Sequence, residues 1–181
     1  MSKPSLRTSR GVWTAVGAGS FDPSDIWDEI MEAARKVQKN AYAPYSKFRV
    51  GAAAIVDGQL FIGCNVENAS YGATNCAERT AIFSAVASGA RNLEMLALTT
   101  DASDGSPLES RSPCGICRQV MAEFASDDTL IFLDAGSSES HEFLGEVMHF
   151  SDLLPWRFAL NKPTEAPFLA PEKRFAPACT R

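Results

Sequence analysis

The sequence predicts an α/β domain of three layers, in which helices cover both faces of a central sheet of about five strands. Two observations predict this architecture. Apolar runs of strand length alternate along the chain with segments that have the 3.6-residue period of a helix. The strand runs are apolar almost throughout, as strands buried on both faces are. A chain of 181 residues is long enough for one such domain and short for two.

The predicted domain starts with a helix and a pair of strands. Residues 25–38 (DIWDEIMEAARKVQ) place their apolar side chains on one helical face. Residues 48–68 then predict two strands, and Asp57-Gly58 between them is the dipeptide typical of a two-residue hairpin turn. We therefore expect a helix followed by an antiparallel hairpin.

The remaining elements alternate along the chain. They are predicted as helices at 76–88 and 113–125 and as strands at 93–101, 129–135 and 145–150. Gly89 is a typical residue for closing the helix that precedes it. Pro113 suits the first position of the next helix.

Three regions are expected along the chain. Residues 1–24 are interpreted as a flexible N-terminal extension, residues 25–158 as the folded domain, and residues 159–181 as an irregular, proline-containing C-terminal tail. Residues 1–21 carry basic residues and no acidic residue, so a peptide that targets an organelle is the less favoured alternative for them.

Composition and charge narrow the class of partner. The formal net charge is −5, and 45% of the residues are hydrophobic, which is typical of a soluble globular protein. No apolar run approaches the roughly 20 residues that span a bilayer. The sequence also lacks the basic character expected of a surface that binds nucleic acid. We therefore expect a small or neutral partner, and neither a nucleic acid nor a membrane.

The cysteines indicate metal or redox chemistry rather than a disulfide framework. The chain has 5 of them, an odd number, and no convincing secretion signal precedes them. A reducing compartment, expected to be the cytoplasm, fits free thiols. The five residues are Cys64, Cys76, Cys114, Cys117 and Cys179.

Three of these cysteines stand at the starts of two predicted helices. Cys76 opens one helix, and Cys114 and Cys117 open the next with their thiols on one face of a single turn. The unpaired amides of a helix start favour a thiolate, and zinc binds thiolates. Taken alone, a Cys-x-x-Cys pair is also typical of a redox site, and a single cysteine is typical of a buried apolar position.

Glu78, two positions after Cys76, has two interpretations. In Asn75-x-x-Glu78, the glutamate forms a capping box and only satisfies backbone amides. Alternatively, its carboxylate transfers protons beside a metal. The joint occurrence of a thiol, this carboxylate and a later Pro-Cys-x-x-Cys favours the second interpretation.

Five segments carry a resemblance to a known family. They are AYAPYSKFRVGAA, GCNVENASYG, CAERTAI, SPCGICRQVMAEF and LLPWRF, and they occur in family order within residues 25–158. On these motifs the sequence resembles the cytidine deaminase family, in the small type whose metal ligands are all cysteine. The resemblance implies a mixed central sheet, a homotetramer and one zinc ion per subunit.

The resemblance also implies the roles of the residues at the helix starts. Cys76, Cys114 and Cys117 would hold the zinc ion, with water in the fourth position. Glu78 would take a proton from that water, deliver one to the ring nitrogen and help to expel ammonia. Arg79 would donate hydrogen bonds to the thiolates and offset their excess negative charge, with a surface salt bridge as the alternative.

Substrate contacts follow from the same resemblance. It assigns Phe48, Asn65 and Glu67 to the nucleoside, with the protein core as the alternative place for Phe48. In an extended strand, positions 65 and 67 share a face while Cys64 points the other way. An amide and a carboxylate on one face suit a sugar hydroxyl. Phe158, in LLPWRF, is implied to reach the active site of a neighbouring subunit, with the core of its own subunit as the alternative.

The predicted function is zinc-dependent hydrolytic deamination of cytidine and 2′-deoxycytidine in pyrimidine salvage. Two alternatives stay open. The same residues would deaminate a modified or antibiotic cytosine nucleoside, or the cysteines would form a structural zinc site closed by Cys64. His141 and His149 lie outside every motif and are interpreted as ordinary polar residues.

Overall fold

A computed structural model of the chain describes residues 5–16, 26–137 and 142–160. Its strands are β1 (Ser5–Arg7), β2 (Gly11–Ala15), β3 (Val50–Val56), β4 (Gln59–Cys64), β5 (Leu93–Thr100), β6 (Ala125–Ser137) and β7 (Phe143–His149). Its helices are α1 (Ile26–Gln38), α2 (Ala77–Ser88), α3 (Gly115–Met121) and α4 (Phe150–Leu153).

The strands form one mixed sheet in the order β1-β2-β7-β6-β5-β3-β4. β2 runs parallel to β7 and β5 runs parallel to β6, while the other neighbouring pairs are antiparallel. One face packs against α1 through buried residues that include Trp27 and Phe132. The other face packs against α2 and α3 through residues that include Ile82 and Cys117. This arrangement confirms the predicted three-layer α/β/α class.

The sheet has seven strands rather than about five, and the two additional strands come from the N-terminal extension. The expectation that this extension is flexible is wrong for residues 5–16, which form β1 and β2 beside β7. Trp13 explains the difference, because it is fully buried with its ring 5.6 Å from that of Phe132. A Cβ atom at Gly145 would come within 2.1 Å of the Trp13 ring, so glycine permits this approach. Truncating a fully buried Trp costs about 3–5 kcal/mol.

The third helix is shorter than predicted. The sequence predicts a helix over 113–125, whereas α3 spans Gly115–Met121. Cys114 is the N-cap and has an extended backbone, so Pro113 stands before the helix rather than at its first position. The chain from Ala125 onward joins β6, where pairing with β5 satisfies its backbone groups.

Two local predictions are confirmed near the ends of β3 and α2. Asp57 and Gly58 have φ angles of 48° and 70°, the positive values that a type I′ hairpin turn requires. Gly89 follows α2 in the left-handed region and caps the helix.

Several predicted features lie outside the described residues: residues 1–4 and 17–24 of the N-terminal extension, Asp25 at the predicted start of the first helix, His141, and residues 161–181 of the C-terminal tail, which include Cys179. Among the helices that are described, none combines the length and the apolar character needed to cross a lipid bilayer.

Candidate active site

Two helix starts bring three thiols together. Cys76 is the N-cap of α2, Cys114 is the N-cap of α3, and Cys117 lies in the first turn of α3. Their sulfur atoms all lie within 4.8 Å of one another. Within the described residues, this three-thiol group does not include Cys64, the last residue of β4. The group offers three sulfur ligands to one ion, a donor set that suits zinc.

The thiols of this group differ in acidity. A hydrogen bond from the Cys117 thiol lowers the pKa of Cys76 to about 5, and Arg79 acts in the same direction. The same hydrogen bond raises the pKa of Cys117, and burial raises it further. Cys76 is therefore a thiolate at neutral pH. A bound cation would favour the ionised form of the other thiols as well.

Arg79 contacts the three-thiol group from α2. Its Nη2 atom donates to the carbonyl oxygen of Thr74 (3.1 Å) and to Sγ of Cys76 (3.4 Å). In the described part of the chain, its buried Nε–H has no hydrogen-bond partner. A guanidinium group with an unused N–H donor is suited to a site where several thiolates carry excess negative charge.

Glu78 is a buried carboxyl group in the first turn of α2, with 3% of its surface exposed. Burial raises its pKa to about 7, and the negative charge of Cys76 adds to the effect. The capping-box interpretation does not hold, because Cys76 is the N-cap and Nδ2 of Asn75 donates instead to Oγ1 of Thr80 (3.0 Å). A carboxyl group with a pKa near neutrality can both accept and donate a proton.

One cavity of about 430 Å³ collects most of the predicted site residues. Its volume is typical of small-molecule sites. Its lining contains two carboxylates and, among the described residues, no Lys or Arg. A larger cavity, of about 930 Å³ near Arg91 and Asp128, contains none of the predicted site residues. The predicted site residues that line the smaller cavity are Phe48, Asn65, Glu67, Cys76, Glu78 and Cys114.

Asn65 shapes one wall of this cavity. Its Oδ1 atom accepts a hydrogen bond from the Val50 amide (2.8 Å), and its Nδ2 atom donates to the Phe48 carbonyl oxygen (2.8 Å). Asn65 is 8% exposed, whereas Phe48 is 36% exposed and lines the cavity. The side chain of Asn65 therefore fixes the segment that presents Phe48, and Phe48 is not a core residue.

Glu67 lines the same cavity and is partly buried. Its carboxylate accepts hydrogen bonds from the Tyr45 amide (2.9 Å), the Ser46 amide (3.2 Å) and the Ser46 hydroxyl. The hydrogen bond from the Ser46 hydroxyl lowers the pKa of Glu67, so the carboxylate is ionised at neutral pH. The strand alternation expected for positions 65 and 67 does not apply, because β4 ends at Cys64. Asn65 and Glu67 nevertheless line the same cavity.

Comparison with known protein families supports a metal site at the three-thiol group. A family model described as "Cytidine and deoxycytidylate deaminase zinc-binding region" matches residues 25–133. The chain belongs to this family. The matched region runs from α1 into β6 and includes the three-thiol group and Glu78.

Individual members of the deaminase family match this chain over most of their own length. The cytidine deaminase of Halalkalibacterium halodurans is 42% identical over 130 residues, which cover 71% of this chain and 91% of that protein. The crystal structure of cytidine deaminase from Burkholderia pseudomallei has a TM-score of 0.62 and 43% identity, covering 72% of this chain and 98% of that one. Cytidine deaminase from Mycobacterium tuberculosis has a TM-score of 0.59 and 38% identity, covering 74% and 98%. The fold is that of the deaminase family.

Phe158 stands apart from the other predicted deaminase residues. It lies beyond α4, is 68% exposed, and is held through its carbonyl oxygen by Nε2 of Gln119 (2.9 Å). It is not part of the lining of the cavity in its own chain. The structure therefore does not bring Phe158 to the three-thiol group of the same subunit.

Sequence reasoning missed several residues of the cavity wall. Ser110 and Ser112 line it from the loop before α3, and Thr100 lines it from the end of β5. Ser46 orients Glu67. The motifs contained a partial indication, since Ser46 belongs to AYAPYSKF and Ser112 directly precedes Pro113 and Cys114.

Proposed function

We propose that this chain catalyses the hydrolytic deamination of cytidine and 2′-deoxycytidine to uridine and 2′-deoxyuridine, with release of ammonia, in pyrimidine salvage. The observation that carries the proposal is one cavity in which the buried Glu78 carboxyl group accompanies two cysteines of the three-thiol group. Relatives named cytidine deaminase at 42% and 43% identity support the same activity. We assign the catalytic unit to residues 25–158, with residues 1–24 and 159–181 as extensions, of which residues 5–16 add β1 and β2 to the sheet of that unit.

Cys76, Cys114 and Cys117 are assigned as the ligands of one zinc ion per chain. Support comes from the close spacing of their sulfur atoms and from the low pKa of Cys76. Zinc bound there supplies a Lewis acid that makes water nucleophilic near neutral pH. Three protein ligands, rather than four, are typical of a catalytic zinc site. Arg79 offsets the negative charge of the sulfurs.

Glu78 is assigned as the group that moves protons. Water adds to the amine-bearing carbon of the cytosine ring, and Glu78 accepts the proton that the water loses and passes it to the ring nitrogen. Glu78 then takes the remaining hydroxyl proton and delivers it to the departing amino group, which leaves as ammonia. A pKa of about 7 suits a group that must alternate between acid and base near neutral pH.

The contacts to the nucleoside are assigned to Phe48, Asn65 and Glu67, which line the same cavity. The ionised Glu67 carboxylate accepts hydrogen bonds from sugar hydroxyls, and Asn65 both shapes the wall and presents its amide. Phe48 packs its exposed ring against the nucleoside. Because the lining carries carboxylates and no described Lys or Arg, a free nucleoside is favoured over a nucleotide, whose phosphate would need a cation.

The working assembly is proposed to be a homotetramer in which Phe158 completes the cavity of a neighbouring subunit. Exposed apolar side chains at the end of the described chain support a subunit contact there: Trp156 is 94%, Phe158 68% and Leu160 74% exposed. A cytoplasmic location is proposed because four described cysteines are free and the zinc ligands must stay reduced.

Zinc analysis combined with an ultraviolet assay tests the proposed function. The purified chain should contain about one zinc ion per subunit and convert cytidine and 2′-deoxycytidine, with the absorbance change of cytosine becoming uracil. The corresponding 5′-monophosphates serve as the control and should be poor substrates. A zinc-loaded protein that turns over no nucleoside would contradict the proposal and favour a structural zinc site.

A further inference from the structure

The loop between β5 and α3 forms one wall of the cavity and has little regular structure of its own. It contains a single helical turn at Leu108–Ser110, and it contributes Ser110 and Ser112 to the cavity before it reaches Cys114. Within residues 102–112, its backbone-to-backbone hydrogen bonds are local, such as that from the Ser110 amide to the Pro107 carbonyl oxygen (3.0 Å). Side-chain contacts are therefore needed to hold this wall at a fixed distance from the sheet.

Arg111 lies between the two serines but points into the protein. It is 6% exposed, and its Nε atom donates to the Ser106 carbonyl oxygen within the loop (2.9 Å). Its Nη1 atom donates to the carbonyl oxygen of Asp134 in β6 (3.1 Å). These bonds close the loop on itself and tie it to the sheet at the same time.

The strongest contact of Arg111 is with Glu146 in β7. The two side chains form a bidentate ion pair, in which Nη2 donates to Oε1 at 2.7 Å and Nη1 donates to Oε2. Both side chains are shielded from solvent, at 7% and 23% exposure. A bidentate, shielded pair of this kind fixes direction as well as distance, which a surface pair does not.

The N-terminal hairpin supports the strand that carries Glu146. In the register of β2 and β7, Thr14 is the partner of Glu146, so β7 is flanked on both sides by strands. Trp13 anchors this hairpin in the core on the other face of the sheet. The position of Glu146 is thus set by the sheet rather than by the loop that it holds.

We propose that Arg111, through Glu146 and the Asp134 carbonyl, is a positioning residue that sets the serine-bearing wall of the deaminase cavity. Arg111 itself lies outside the cavity lining, so it acts through Ser110, Ser112 and the approach to Cys114. Arg118 holds the other end of the same loop, with donation to the Pro113 carbonyl oxygen (2.7 Å) and the Ser112 hydroxyl (3.1 Å). This inference rests on the proposed function for its kinetic consequence.

Hydrogen exchange and kinetics on Arg111→Met and Glu146→Gln test the inference together. Exchange of amides within residues 102–112 should rise in both variants, while exchange in the core of β6 stays unchanged. The value of kcat/KM for cytidine, expressed per bound zinc ion and measured well below each Tm, should fall by about tenfold or more for Arg111→Met, because a small displacement of a binding wall lowers turnover strongly. The double variant should lose no more than Arg111→Met, since the two residues act as a unit.

Arg10→Met is the matched control, because Arg10 also pairs with a glutamate, Glu32, but both side chains are more than half exposed. It should change neither exchange in the loop nor kcat/KM. Glu146→Gln retains the size of the side chain and keeps the test valid if Arg111→Met does not fold. Unchanged exchange in the loop, or raised exchange with unchanged kcat/KM per zinc, would overturn the proposal. Turnover by the wild-type chain tests the proposed function separately, and the exchange measurement stands without it.

Discussion

The Nη2 atom of Arg79 lies 3.4 Å from the Sγ atom of Cys76, and both residues belong to the start of α2. The first turn of one helix thus supplies both a thiolate and the cation beside it. Since Arg79 also lowers the pKa of Cys76, it favours the form of the cysteine that binds metal.

Arg79→Gln is therefore expected to weaken zinc binding by about tenfold or more, the usual effect of removing a group that supports a metal ligand. Competition with a chromogenic chelator measures the change. Arg10→Gln, which removes an exposed arginine far from the thiols in the sequence, is the control. Zinc affinity equal to that of the wild type would show that Arg79 only holds the Thr74 carbonyl.

Glu78→Gln separates proton transfer from structure. The amide has the size of the carboxyl group but cannot carry protons, so kcat for cytidine should fall by at least about a hundredfold. Zinc content and Tm should stay close to those of the wild type, because the amide of glutamine fills the space of the buried carboxyl group. Turnover near the wild-type rate would exclude Glu78 as the proton carrier.

Local patterns explain what the sequence could predict. The period of α1, the Asp57-Gly58 turn and the cysteines at two helix starts each depend on residues that are close in the chain, and the structure agrees with them. Long-range contacts explain the remainder. β2 forms because it pairs with β7 and because Trp13 packs against Phe132. Both partners are more than 100 residues away in the sequence, so no short motif predicts these contacts. The role of Arg111 could not be predicted from the sequence for the same reason, because its partner Glu146 lies in β7, a distant strand.

Cys64→Ser distinguishes a catalytic zinc site from a closed structural one. The three-thiol group excludes Cys64, so the variant should keep its zinc and its turnover of cytidine. Cys114→Ser is the matched substitution within the group and should lose zinc and stability together, since metal binding is coupled to folding. Both are measured by metal analysis and thermal unfolding. Loss of zinc from Cys64→Ser would establish Cys64 as a fourth ligand.

Glu67→Gln and Asn65→Ala should have different signatures. Glu67→Gln removes the negative charge that we propose accepts hydrogen bonds from the sugar hydroxyls, so kcat/KM for nucleosides should fall while Tm changes little. Asn65→Ala also leaves the Val50 amide and the Phe48 carbonyl oxygen without their partner, so Tm should fall as well. Free cytosine, if it is turned over, should be nearly indifferent to Glu67→Gln. Equal losses on cytosine and cytidine would argue against a sugar contact.

Phe158 provides the test of a shared active site. In its own chain this residue is 68% exposed and lies away from the cavity, so a role in catalysis requires a second subunit. Phe158→Ala should raise KM for cytidine and leave zinc content intact, because a ring that closes the cavity excludes water around the base. Mixing Glu78→Gln subunits with Phe158→Ala subunits then tests whether Phe158 contributes to the cavity of a neighbouring subunit. After exchange, some cavities would combine an intact Glu78 from one chain with an intact Phe158 from another, and activity should rise above the sum of the two parents. Exchange demonstrated by mass spectrometry without any such rise would place Phe158 outside the neighbouring active site.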